Sequence, residues 1–135
     1  MGPTLPTTLL LALLALTSTS TTLAAPSLSR RYDLTCAAGG YYRPISEVQI
    51  CIEYLSGLDS TACTVSSENQ GLCTCGETVI SGSPLVPGET VTSFCRDIAT
   101  AAQKIVDSCQ TEAGYVGGAN AANGNGELIV KIHAG

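Results

Sequence analysis

Seven cysteines, Cys36, Cys51, Cys63, Cys73, Cys75, Cys95 and Cys109, fall within one stretch of a 135-residue chain. A thiol can ligate a metal, attack a substrate or be oxidised to a disulfide. Zinc would have to use Cys73-Thr74-Cys75, but a lone C-x-C without paired histidines is a poor ligand set. Catalysis would have to use His133, the single histidine, for which no Ser, Cys or Asp stands at a recognisable spacing, so it reads as a solvated imidazole. Asp97 and Asp107 lie about 15 Å apart along a helix, too far for a glycosidase pair, and read as a solvated face. The run GGANAANGNG, from Gly117 to Gly126, lacks the preceding strand, Lys-Ser/Thr end and following helix of a phosphate loop. It reads as a permissive turn in which Gly and Asn supply positive φ. Oxidation remains: the pattern is that of a small, disulfide-stapled, exported domain, with no catalytic residue, metal or cofactor expected.

The leader agrees with export. An apolar run, LLLALLAL from Leu9 to Leu16, is too short for a bilayer, which needs about 20 residues. Thr22-Leu23-Ala24 then has the small-x-Ala form of a signal-peptidase site, so residues 1–24 read as a signal peptide cut after Ala24. Arg30-Arg31, the only dibasic pair, reads as a kexin-type site that ends a pro-segment over 25–31. The mature domain then covers 32–135, which is 135 − 31 = 104 residues. No lipid-anchor tail follows ELIVKIHAG, so a released, extracellular protein is expected.

Removing Arg30 and Arg31 leaves 6 − 2 = 4 cations against 11 acids, a formal charge of −7. Such a surface repels phosphate backbones and anionic lipid, which argues against nucleic-acid binding and against stable membrane insertion. There is no Trp and one Phe, Phe94, so a stacked aromatic platform for carbohydrate is missing apart from the Tyr41-Tyr42 pair. No Asn-x-Ser/Thr sequon occurs, so N-glycosylation is not expected.

Two segments have helical periodicity. Between Ser46 and Leu58, Val48, Cys51, Ile52 and Leu55 share a face, Ser46 with Gln49 fits a capping box, and Gly57 suits the C-cap. Between Ser93 and Gln110, Phe94, Ile98, Ala101, Ala102, Ile105, Val106 and Cys109 form a stripe opposed by Arg96, Gln103, Lys104 and Asp107. Strands are expected over Tyr32 to Cys36, Cys63 to Val65, Leu72 to Ile80 and Glu127 to His133. In the last, Leu128, Val130 and Ile132 alternate with Ile129, Lys131 and His133. The order β, α, β, β, α, β predicts an α+β fold: a two-layer sandwich with both helices on one face of an antiparallel sheet in split β-α-β connection.

Geometry restricts the staples. Cys95 and Cys109 would lie about 21 Å apart on one helix, beyond disulfide reach, so each must pin one helix end to another element. Cys73 and Cys75 point to the same face of a strand and are also unsuited to bond each other. Seven is odd, so one thiol stays free or bridges two chains.

CRDIATAAQKIVDSC, from Cys95 to Cys109, followed by YVGGANAANGNGELIVKI, from Tyr115 to Ile132, resembles the second half of the fungal killer-toxin family typified by a virally encoded smut-fungus toxin. Cys36 and the Cys75-Gly76 pair match as well, and fungal necrosis-inducing effectors have a similar plan. The resemblance implies a secreted, non-enzymatic toxin or host-directed effector that interferes with calcium uptake or channels, its partner a cell-surface protein or channel of a target cell. The alternative is a binding module such as a hydrolase inhibitor or cell-wall ligand binder. The family's functional lysine has no counterpart, since SSENQGLCTCG, from Ser66 to Gly76, carries Glu68 and no cation. Contact is therefore expected from Tyr41, Tyr42 and Tyr115. The resemblance, with the need to anchor both helix ends, implies Cys36–Cys109 and Cys51–Cys95. Cys63–Cys73 is then the shortest remaining loop. That leaves Cys75 odd, in a monomer or, through Cys75, a disulfide-linked dimer.

Overall fold

The computed structural model describes residues 32–37 and 42–135; Ala24, Arg30, Arg31 and Tyr41, with the expected leader and pro-segment, lie outside them. Eleven elements follow in order. They are β1 (Thr35–Cys36), β2 (Arg43–Pro44), α1 (Ile45–Gly57), β3 (Ala62–Val65), β4 (Gln70–Cys75), β5 (Thr78–Pro84), β6 (Val91–Phe94), α2 (Cys95–Cys109), β7 (Tyr115–Val116), β8 (Gly118–Ala122) and β9 (Asn125–Ala134). The main sheet has the order β1-β8-β9-β5-β4, and every pair in it is antiparallel. The fold is α+β, as the order of elements predicts.

The alternation of β9 sets the layers. Leu128, Val130 and Ile132 pair with Pro84, Gly82 and Ile80, and all three are buried in the core with Val48, Leu55, Ile98 and Ile105 of the helices. Both helices therefore cover this one face. Burying a side chain of this size contributes about 1.5–3 kcal/mol, so the layer contact is a large stabilising term. Gly82 gives Val65 of β3 its place: a Cβ there would come within 2.7 Å of Val65 Cγ2.

Several boundaries differ from the sequence reading, each because a tertiary partner replaces a local signal. The Ser46–Gln49 capping box does not form. α1 starts at Ile45 with Pro44 as N-cap, and the Ile45 N–H donates to Gly114 O at 2.9 Å. Its C-cap is Leu58, and the left-handed residue is Asp59 at φ 52°, not Gly57. The expected strand from Leu72 to Ile80 is folded into the β4–β5 hairpin at Gly76, whose φ of 61° suits a residue without Cβ. GGANAANGNG is mostly strand: β8 and β9 take it up, and positive φ occurs there only at Gly124. Phe94 leaves the helical stripe to become the exposed N-cap of α2, under the Arg96 guanidinium at 5.1 Å.

Three disulfides staple the layers. Cys36 is bonded to Cys109, Cys51 to Cys73, and Cys63 to Cys95, with Cys75 free. The expected Cys51–Cys95 and Cys63–Cys73 bonds are thus exchanged. The reason is β6, which the sequence reading merged with the start of α2. Pairing of β3 with β6 sets Cys63 opposite Ser93, and the Cα atoms of Cys63 and Cys95 come to 5.2 Å. Cys51, on the buried face of α1, then stands over β4 with its Cα 5.6 Å from that of Cys73.

Candidate functional site

The site builds on the other face of β5 and β9, where no described helix packs. Register sets Lys131 opposite Ser81, Ile129 opposite Ser83 and His133 opposite Val79. Two consequences follow from side-chain length. Lys131 reaches from β9 across β5 to Asn69, just before β4, where its Nζ donates to Oδ1 at 3.0 Å. Its aliphatic stem thereby crosses over β5, in keeping with the burial of Ser81 and Ser83. Asn69 is fixed in turn: it holds φ 54°, a conformation Asn tolerates, and its N–H donates to Ser83 Oγ at 2.8 Å.

His133 is not the solvated imidazole that the sequence suggests. Its Nδ1 lies 2.7 Å from Ala134 O and its Nε2 2.7 Å from Ser81 Oγ. A carbonyl only accepts, so Nδ1 carries a proton; in the neutral ring Nε2 then accepts from the Ser81 hydroxyl. A serine donating to a histidine is the start of a nucleophilic pair. Here Ser81 is 0% exposed, so no substrate can reach its oxygen, and the bond positions the ring. Nothing in linear spacing announces this cluster, because Ser81 and His133 are 52 residues apart and meet only through the ladder.

Beside it lies an open trough of about 620 Å³, lined by Thr35, Cys36 and Ala37 on one side, Asn69, Lys131 and His133 on the other, with Gly118, Ala119, Ile132, Ala134 and Gly135. Small-molecule sites commonly have this size.

The remaining sequence candidates are dispersed. Tyr42 and Tyr115 flank the β2–β7 pair, where Pro44 faces Tyr115. The Tyr42 hydroxyl donates to Ala37 O at 2.6 Å, whereas Tyr115 is exposed. Asp97 borders a second hollow with Phe94 and Asn123, and Asp107 accepts from Gln103 on the outside of α2, so the two carboxylates stay apart. Sequence reasoning missed Ile50 and Tyr54, 56% and 55% exposed, which form with Leu72 and Thr74 an apolar hollow along β4. Their spacing of four on the face of α1 opposite its core stripe was the available signal.

On the helix-covered face, where Thr78 pairs with Ala134, Glu47, Arg43 and Thr78 form a closed polar group. Thr78 Oγ1 donates to Glu47 Oε1 at 2.6 Å, and Arg43 donates to Thr78 Oγ1 at 3.0 Å and to Glu47 Oε1 at 3.3 Å. The Thr78 hydrogen bond, joined by the Arg43 bond and charge, holds the Glu47 carboxyl below its ordinary value despite partial desolvation. Gly76 admits this carboxylate, since a Cβ there would lie 2.5 Å from Glu47 Oε2.

A disulfide-stapled α+β sandwich with one face of its sheet left free of described helices is the class that fold and site define. The chain belongs to the family described as Domain of unknown function (DUF8794), which matches residues 31–134. No curated protein matches the chain.

Proposed function

We propose that this is a secreted, non-enzymatic protein that acts by binding, as an antagonistic toxin or host-directed effector at the surface of a target cell. The observation that carries this is the stapling. Three disulfides tie α2 to β1, α1 to β4, and β3 to the first residue of α2, which suits a protein that folds and works in an oxidising compartment. The leader read from the sequence supports the same compartment. The buried Ser81 hydroxyl supports a binding role, since the one Ser–His pair among the described residues cannot meet a substrate.

The killer-toxin resemblance supplies the finer reading, interference with calcium uptake or channels. It is supported by the order of a cysteine-flanked helix, a Gly/Asn-rich hairpin and an alternating last strand. The deciding experiment applies purified oxidised protein to fungal and plant cells while growth and calcium entry are recorded. Inhibition relieved by added calcium is expected. Full growth of every cell type, with capture of one secreted hydrolase instead, would replace the toxin by an inhibitor, the binding module that the trough also suits.

A further inference from the structure

We propose that the trough beside Lys131 is a binding site for a small organic carboxylate with an apolar body, the carboxylate held by the Lys131 ammonium. This site goes beyond the toxin or effector reading, and its failure would leave that reading untouched.

The argument begins with charge. In a segment with four cations and eleven acids, cations are expected to be neutralised by neighbouring carboxylates. Arg43 is paired with Glu47 at 3.3 Å and Arg96 with Asp59 at 3.0 Å. Among the described residues Lys104 and Lys131 have no such partner; Lys104 is exposed on α2, whereas Lys131 is held at the trough by the neutral amide oxygen of Asn69. That oxygen takes one ammonium proton, which leaves two donors and the whole charge for a ligand. The anchor is rigid, because Asn69 is itself fixed to buried Ser83, so Lys131 is held in place before anything binds.

The rest of the trough decides the ligand's body. His133 spends both nitrogens within the protein, on Ser81 and on Ala134 O, and so offers the trough the carbon surface of its ring. Ala119, paired with Lys131, and Ala37 extend that surface, and Thr35 adds a hydroxyl. One cation and an apolar wall fit a monoanion. A phosphate dianion would need more positive charge than a single lysine supplies in so acidic a protein, and no described helix begins at the trough to help.

The test is an NMR titration of the oxidised protein with benzoate and with hexanoate, with benzamide as neutral control and galacturonate as polar carboxylate. Saturable shifts of the Ala119, Lys131 and His133 amides are expected with at least one of the two apolar acids, at least tenfold weaker with benzamide. Lys131→Gln should weaken binding at least tenfold, whereas Lys131→Arg and, on α2, Lys104→Gln should bind as the parent does. Dispersed amide spectra establish that each variant is folded, and Lys131→Arg keeps the charge should Lys131→Gln unfold. No saturable shift with either apolar acid, equal affinity in a folded Lys131→Gln, or tighter binding of galacturonate than of both would each overturn the proposal.

Discussion

Thr78, the first residue of β5, donates its hydroxyl to Glu47 in the first turn of α1 across 2.6 Å, and so joins the sheet to the helical layer by a charge-assisted hydrogen bond. Because the folded state lowers the Glu47 pKa, chiefly through this bond, the linkage has a definite sign. Its stabilisation is fully present above the unfolded glutamate value of about 4.3 and is lost as pH falls through the lower folded value. Glu47→Gln should therefore flatten the fall in urea midpoint between pH 5 and pH 3, measured by circular dichroism. A variant with the parent's acid limb unchanged would remove Glu47 from that role.

The disulfide set makes a separate prediction. Non-reducing peptide mapping should recover Cys36–Cys109, Cys51–Cys73 and Cys63–Cys95, with Cys75 alone alkylated in the folded protein. Replacing Cys36 and Cys109 together by Ala opens the longest loop, spanning 73 residues. The chain-entropy treatment expects a loss of about 4 kcal/mol, read from denaturant unfolding.

Two glycines should respond to alanine in opposite directions. Gly57 ends α1 with nothing within 4 Å of a built Cβ, so Gly57→Ala should stabilise by about 0.5–1 kcal/mol. Gly82 lies beneath Val65, where the same Cβ would approach to 2.7 Å, so Gly82→Ala should destabilise by about 1–3 kcal/mol. Paired thermal melts would show whether the signs differ.

The domain boundary predicts processing. The family match begins at residue 31, so the expected cut after Arg31 falls at the start of the matched segment. Protein secreted by a kexin-containing host should begin at Tyr32, as N-terminal sequencing or intact mass will show. A stable product beginning at Ala25 would contradict cleavage at the dibasic pair.

A core prediction separates the two faces of β9. Leu128→Ala on the helix-covered face should cost about 2–5 kcal/mol, since Leu128 is fully buried among core side chains. Lys131→Gln on the other face should cost no more than about 1 kcal/mol, because it removes one hydrogen bond to an exposed amide.

What the sequence determined alone was whatever repeats over a few residues. The stripe from Ile98 to Cys109 and the alternation from Leu128 to His133 each put their apolar groups on one side, and burying those sides against each other requires the two-layer arrangement. The exclusion of Cys73–Cys75 and Cys95–Cys109 bonds was legible for the same reason, since both depend only on geometry within one element. The partners across elements were not. Cys63 finds Cys95 because β3 pairs with a strand whose sequence, VTSF, carries no turn signal separating it from α2. His133 finds Ser81, and Lys131 finds Asn69, because the β5–β9 register carries β9 side chains over β5, across separations of 52 and 62 residues. Register and layer packing are fixed by burial of the whole core, a sum over contacts distant in the chain, and so the candidate site took form only in the tertiary structure.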